Sequence, residues 1–371
     1  MQPKRILLIV HEMNRGGIET LLMNIFRTID REKIIFDFVV HVSEECDYDA
    51  EIKELGGIIY HCPDYKIWNH LLYKHWWKKF LAEHPDYDII HSHLFTIAKV
   101  HLRIAKRMNR VTIVHSHISS RGSGIKAFIR RVYTTNINSC CDYKFACSKV
   151  AAEYLFGEQA ENAYIIKNGI IAKNYIYDEQ TRIRIRESLG VADDEIVIGN
   201  VASINARKNQ KFILDVLQVL LARGLKYRFV CLGKSHVGNA YEEYAAQLGV
   251  ADKVHFVGVQ SNVNEWLQAF DIYMMPSLYE GLPVAAVEAQ AAGLRCLLSD
   301  TISAETDITG LVDFMSLETP KEQWAQTIIN MTPYERKDMY ATIAAAGYDI
   351  QTSTDWLTDF YLNLKNKKET K

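Results

Sequence analysis

The chain has 371 residues, 48% hydrophobic and 24% charged, with a formal net charge of -2. That length holds two domains or one large α/β domain, and that composition excludes a chain disordered throughout. The near-neutral balance names no partner, and seven cysteines with no C-x-x-C pair argue against a disulfide framework and for a reducing compartment.

Residues 5–10 read as a strand running into Gly16-Gly17, after which Leu21, Leu22, Ile25, Phe26 and Ile29 recur at helical spacing. This is the opening of a βαβ unit. Short apolar runs at 36–42, 58–60, 89–93, 112–117 and 144–146 continue the alternation of strand and helix. Residues 174–186 are polar and lack strand character, and a second series of strands is predicted at 196–202, 227–232, 253–256, 272–275 and 294–298. The fold class is therefore α/β, with two doubly wound parallel-sheet domains in tandem. In such sheets ligands bind beyond the carboxyl ends of the strands, so the expected site is a cleft between the two domains. No apolar run approaches the roughly 20 residues that span a bilayer. The expectation is a cytoplasmic chain, peripheral at the inner face of a membrane.

The most informative segment is 276–293, P-S-L-Y-E-G-L-P-V-A-A-V-E-A-Q-A-A-G. A strand ends in a turn containing Gly281, and Pro283 suits the first position of the helix that follows. The backbone amides of Gly281 and Leu282 would then face a diphosphate. Glu280 stands before the helix and Glu288 two turns inside it, one carboxylate for a sugar and one for ribose hydroxyls. An isolated E-x7-E is more often an ordinary amphipathic helix with a glutamate at each end; the E-G-L-P turn and the small-residue run reverse that preference.

With these residues the sequence resembles the family 4 glycosyltransferases of GT-B fold, in particular their bacterial polysaccharide branch. The landmarks fall in the family's order: Asn14-Arg15-Gly16-Gly17-Ile18-Glu19, the strand ends Asp88-Ile89-Ile90-His91-Ser92-His93 and Val114-His115-Ser116-His117, then Ala146-Cys147-Ser148-Lys149, Ile166-Lys167-Asn168-Gly169-Ile170, Lys208-Asn209 and the E-x7-E block. The resemblance implies two Rossmann-like domains facing a central cleft, 1–175 on the acceptor side and 176–352 for the donor, with a helix at about 353–365 crossing back to the first. It implies a retaining enzyme that moves a sugar from a nucleotide-diphosphate donor, by preference a UDP-sugar, to a saccharide or lipid-linked acceptor in cell-envelope glycan synthesis. No cofactor and no metal are expected. Glu280, Lys208 and His115 are the expected catalytic groups. Gly16, Gly17, Ser203, Asn205, Lys208, Gly281, Leu282, Pro283 and Glu288 are expected around the donor.

The family pairs the lysine with an arginine five residues earlier, and that position is Ser203. Arg207 or helix amides are the substitutes at hand for stabilising charge on a leaving diphosphate. His91/His93 and His115/His117 form two H-x-H pairs, each on one strand face. No cysteine or carboxylate stands at ligand spacing to them, so zinc is not the reading.

Eleven Lys/Arg between residues 99 and 150 face one acid, Asp142. Arg121, Lys126, Arg130 and Arg131 are expected on the acceptor and membrane side. Trp68, Trp76, Trp77 and Phe80 lie among Lys78 and Lys79, a pattern that suits either an anionic lipid surface or core aromatics on a solvated helix. No nucleic-acid module accompanies the charge. The competing functions are a nucleotide-sugar epimerase of the same architecture and an inert binding or scaffold subunit.

Overall fold

A computed structural model describes residues 2–117 and 136–364. The chain forms two compact units, Met1–Gly169 with Ile350–Lys371, and Ile170–Asp349. The divisions fall at 169/170 and 349/350, a few residues before those estimated from sequence.

In the first unit the strands are β1 (Lys4–Ile9), β2 (Ile34–Val40), β3 (Ile59–His61), β4 (Ile89–Ser92), β5 (Val111–Ser116), β6 (Tyr143–Ala146) and β7 (Tyr164–Ile165). They form one parallel sheet in the order β3-β2-β1-β4-β5-β6-β7. Alternate residues feed opposite faces. Leu7, Ile9, Val39 and Ile90 pack with Tyr73 and Trp77 of the helix His70–Glu83 and Leu102 of the helix Ala98–Arg107. On the other face Phe36 and Phe38 pack against Phe26 of the helix Gly17–Thr28, and Phe36 also meets Tyr361 of the helix Ile350–Asn363.

Strand β2 is buried at every position, including Asp37. A buried carboxylate needs partners. Arg5 grips it through two nitrogens at 2.5 and 2.6 Å, while Tyr87 Oη donates at 2.8 Å and the Ile58 amide at 2.7 Å.

The second unit carries β8 (Ile196–Val201), β9 (Tyr227–Leu232), β10 (Val254–Gly258), β11 (Ile272–Met275), β12 (Cys296–Ser299) and β13 (Val312–Met315), again parallel, ordered β10-β9-β8-β11-β12-β13. The edge strands β7 and β13 were absent from the sequence reading. Tyr164 and Ile165 are a two-residue strand with both side chains exposed, and β13 has no buried residue, so neither gives a hydrophobic run. The polar stretch 174–186 holds the helix Glu179–Ser188, capped by Asp178, whose Oδ1 accepts from the Thr181 amide at 2.6 Å. Charge seats this helix on the sheet: Arg182 and Arg186 both grip Asp271 at the start of β11, at 2.5 and 3.0 Å.

In each sheet the winding reverses beside the first strand, between β1 and β4 and between β8 and β11. The loops that follow these four strands therefore diverge and leave room for ligands. They carry Gly16, His93, Lys208 and Glu280.

Replacing Asp37 by Asn removes the charge that Arg5 pairs with and leaves a buried polar group less well satisfied. We expect a loss of about 3 kcal/mol in urea unfolding of the first unit; a change within the error of the wild-type midpoint would show the clamp to be dispensable.

Candidate active site

After β8 the chain stays beside β9: Ile204 N–H donates to Lys234 O at 2.8 Å and His236 N–H to Ile204 O at 2.9 Å. Gly233 makes this approach possible. Its φ is +142°, and a Cβ there would strike the carbonyl of Ala202. Asn205 then turns the loop, its Oδ1 accepting from the Lys208 amide at 3.1 Å. Asn209 adopts the left-handed conformation, with φ of 57°, and leads into the helix Gln210–Ala222.

Two hydrogen bonds stitch this loop to the one after β11. Asn209 Nδ2 donates to Pro276 O at 3.1 Å, and the Leu278 amide to Arg207 O at 2.8 Å. From below, Ser299 and Thr301 hydroxyls both donate to Ser277 O, at 2.6 and 2.7 Å. Glu280 is bridged to Ile302. The loops so held bring Lys208 Nζ to 2.7 Å from Glu280 Oε1, with both side chains nearly buried at 12% and 13% exposure. Arg207, half exposed, pairs with the same oxygen and donates to Tyr279 O at 3.2 Å. Burial lowers the Lys208 pKa, and the adjacent Glu280 opposes that shift.

Ser203, at the position where the family's arginine was expected, accepts on its carbonyl from Gln210 Nε2 at 3.1 Å. Arg207 supplies the second cation beside Lys208. This is the substitute that the sequence offers, and the turn at Asn205 aims both cations at one carboxylate.

Pro283 is the N-cap of the helix Val284–Ala291, one residue before the first helical position expected for it, with ψ of 120°. Proline has no N–H, so among the described residues the amides without partners at this helix start are those of Val284 and Ala285, beside Leu282 in the preceding turn. Ala286 and Ala289 are fully buried, letting the helix lie close to the sheet. Gln290 anchors its end, donating to Thr306 O at 2.7 Å and accepting from the Ile308 amide at 2.9 Å. Glu288 stands apart from the Lys208–Glu280 pair. Its Oε1 accepts from Tyr175 Oη at 2.7 Å, and burial raises its pKa against that hydrogen bond. Tyr175 lies 113 residues away in sequence, a separation that no local motif spans.

In the first unit Gly16 caps the helix Gly17–Thr28 in an extended conformation, so its φ does not demand glycine. A side chain at Gly16 would meet the Glu19 carboxylate, whereas one at Gly17 would enter open space. Asp47 Oδ2 fixes the loop by accepting from the Arg15 amide at 2.9 Å.

The four histidines gather into one cluster across β4 and β5. His115 packs on His117 with ring centroids 4.1 Å apart, and His93 Nδ1 lies 2.9 Å from His117 Nε2. Tyr361 Oη bonds His91 Nδ1 at 2.7 Å. Direct contact between His115 and a sugar, expected from sequence, meets a geometric obstacle: the residue is 2% exposed and both ring nitrogens are buried without partners. His117 is half-buried at the strand end, yet its Nδ1 is buried without a partner and its Nε2 faces His93 Nδ1. Ligand nitrogens of His91, His93 and His115 lie within 4.8 Å of one another. The adjoining cavity, about 10 Å³, is at the lower limit for a single water and is lined by Leu8, Leu22, Phe36 and Tyr361 with no carboxylate.

Arg121, Lys126, Arg130 and Arg131 lie outside the described residues. Three other cations of the basic stretch are structural pins. Lys106 pairs with Asp142 at 3.3 Å, Arg110 with Asp88 at 3.3 Å, and Arg103 Nε reaches Cys140 Sγ at 3.2 Å.

Two parallel-sheet Rossmann-like units, with the Lys208–Glu280 pair at a switch point, define a GT-B protein. Residues 15–173 match the description Glycosyltransferase Family 4 and residues 181–328 match Glycosyl transferases group 1. The chain is 32% identical over 381 residues to EpsF of Bacillus subtilis, named as a glycosyltransferase, covering 99% of this chain and 98% of that one. It is 23% identical to the capsular polysaccharide biosynthesis glycosyltransferase CapH of Staphylococcus aureus, covering 97% and 99%. Among solved structures, Anabaena HepE in complex with UDP and glucose shares the fold with a TM-score of 0.78 at 18% identity, over 98% of this chain and 100% of that one. The chain belongs to glycosyltransferase family 4, and it is a transferase.

Burial lowers the pKa of His91 and of His117 to about 3, and those of His93 and His115 well below the ordinary value. The unfolded chain protonates these rings near pH 6.5, the folded one only far lower, so acid favours unfolding. Stability is full above pH 6.5 and falls below it, by about 1 kcal/mol per buried histidine per pH unit. Thermal unfolding followed by circular dichroism should show Tm dropping steeply between about pH 6.5 and pH 5. A constant Tm across that window would mean the rings are solvated.

Proposed function

We propose that the protein transfers a sugar, with retention of configuration, from a nucleoside diphosphate sugar to a saccharide or lipid-linked acceptor in the synthesis of a capsular or other cell-envelope polysaccharide. The observation that carries this reading is the desolvated Lys208 held on Glu280, with Arg207 on the same oxygen. Lys208 keeps two further N–H donors for phosphate oxygens, and Arg207 adds the cation that Ser203 lacks. As the glycosidic bond to the diphosphate breaks, charge grows on its oxygens, and cations fixed in a water-poor site stabilise it without reorganising. The amides of Leu282, Val284 and Ala285 support the same phosphates. Glu280 is left facing the sugar, and Glu288, oriented by Tyr175, accepts from the ribose hydroxyls.

No carboxylate besides Glu280 stands by the lysine among the described residues, which favours a front-face path in which the departing phosphate takes the proton of the incoming hydroxyl. The donor base is proposed as uridine, in keeping with the UDP bound in HepE, and the polysaccharide role follows the naming of CapH. An inert subunit is disfavoured, since Arg207 supplies a second cation where Ser203 replaces the expected arginine.

The test is calorimetric titration with UDP, together with a mass-spectrometric screen of UDP-sugars. Glu288→Ala should weaken UDP binding at least about tenfold, and Lys208→Met should lower kcat/KM about 10²- to 10³-fold at unchanged Tm. Unaltered UDP affinity in Glu288→Ala, or full turnover in Lys208→Met, would overturn these assignments.

A further inference from the structure

The segment 67–81 divides its aromatic residues sharply. Trp77 is fully buried and Phe80 nearly so, packing with Tyr73 in the first unit's core. One turn earlier the side chains face outward: Ile67 is 72% exposed, Trp68 85%, Leu71 77% and Leu72 59%. None of these four joins a core cluster, and scattered single exposures do not explain four large apolar residues within six positions. They occupy a 3-10 turn, Ile67–Asn69, and the start of the helix His70–Glu83. At 100° per residue Leu71, His75, Lys78 and Lys79 share the face opposite Tyr73 and Trp77. The exposed face thus runs from an apolar tip to a cationic flank.

We propose that this tip is a membrane-docking element that inserts Ile67, Trp68, Leu71 and Leu72 into the headgroup region of an anionic lipid bilayer. The occupant follows from charge. Lys66, Lys74, Lys78 and Lys79 stand around the tip against Asp64 and Glu83, which pair with Lys66 and Lys79. Lys74 and Lys78 are left to meet lipid phosphates, and an exposed tryptophan at the boundary is the side chain such an interface takes best. A helix of 14 residues with this face lies along the surface rather than across it. The proposal extends the lipid-linked acceptor reading by bringing the first unit to the surface where such an acceptor resides, and it involves no residue assigned to the donor.

The full chain should co-sediment with vesicles of equal parts phosphatidylglycerol and phosphatidylcholine, and at least about tenfold less with pure phosphatidylcholine or in 1 M salt. The combined W68S, L71S and L72S variant should lose binding about tenfold or more. K78E with K79E should remove the preference for anionic vesicles. All these positions are exposed, so Tm and UDP affinity should stay at wild-type values. Wild-type protein left in the supernatant, a triple variant that sediments like wild type, or equal binding to neutral vesicles would overturn the proposal. So would a wild-type dimer that the triple variant abolishes without vesicle binding. Failure of UDP to bind the wild type while vesicles still do would overturn the donor reading alone.

Discussion

The ion pair of Lys208 and Glu280 is the constraint around which the second unit is arranged. A lysine at 12% exposure is costly unless a carboxylate meets it, and here the two partners come from loops 72 positions apart. They meet because β8 and β11 are neighbours at the reversal of winding, so the loops leaving them emerge side by side. The remaining details serve to keep that meeting exact to a hydrogen-bond length. Gly233 admits the Ala202 carbonyl, Asn205 turns the chain, and Asn209 ties it to Pro276. A cation so fixed has already lost its water, which is the condition under which electrostatic stabilisation is strongest.

Both units use aspartates clamped by arginine to hold the sheet in place, Asp37 fully buried and Asp271 partly so. Asp37 sits inside β2 under Arg5 and Tyr87, and Asp271 at the amino end of β11 under Arg182 and Arg186. Each also accepts a backbone amide, from Ile58 and from Val197, which pins the neighbouring chain segment. In the second unit the clamp and the Lys208 loop lie at opposite ends of the strands. Polar groups at one end are fully committed to structure, and those at the other are left partly unpaired.

The sheets were legible because central parallel strands are apolar throughout: Ile272–Met275 and the run that became β8 stand out without any template. Strands at the edges were not, since Tyr164, Ile165 and β13 bury little. The helix Glu179–Ser188 was hidden for the opposite reason, being seated by arginines rather than by an apolar stripe. The residues around Lys208 and Glu280 could be picked out by motif, but their geometry could not. Asn209 as a left-handed stitch, Tyr175 as the partner of Glu288, and the single Glu280 oxygen on which Arg207 and Lys208 meet are products of tertiary folding. For the histidines, spacing told which strand face they share and nothing of their depth. Trp68 and Trp77 carried one sequence signal that the fold resolves into two, one exposed and one in the core.

The helix Ile350–Asn363 belongs to the first unit although the whole of Ile170–Asp349 precedes it in the chain. Lys4 Nζ donates to Tyr361 O at 2.8 Å and to Leu364 O at 3.2 Å, and Tyr361 Oη bonds His91 Nδ1. During synthesis, then, the ribosome extrudes the first sheet long before the helix that covers its Phe36 face exists. The nascent first unit has only the helix Gly17–Thr28 on that face, and the part that Tyr361 covers stays open until translation has passed through the second unit.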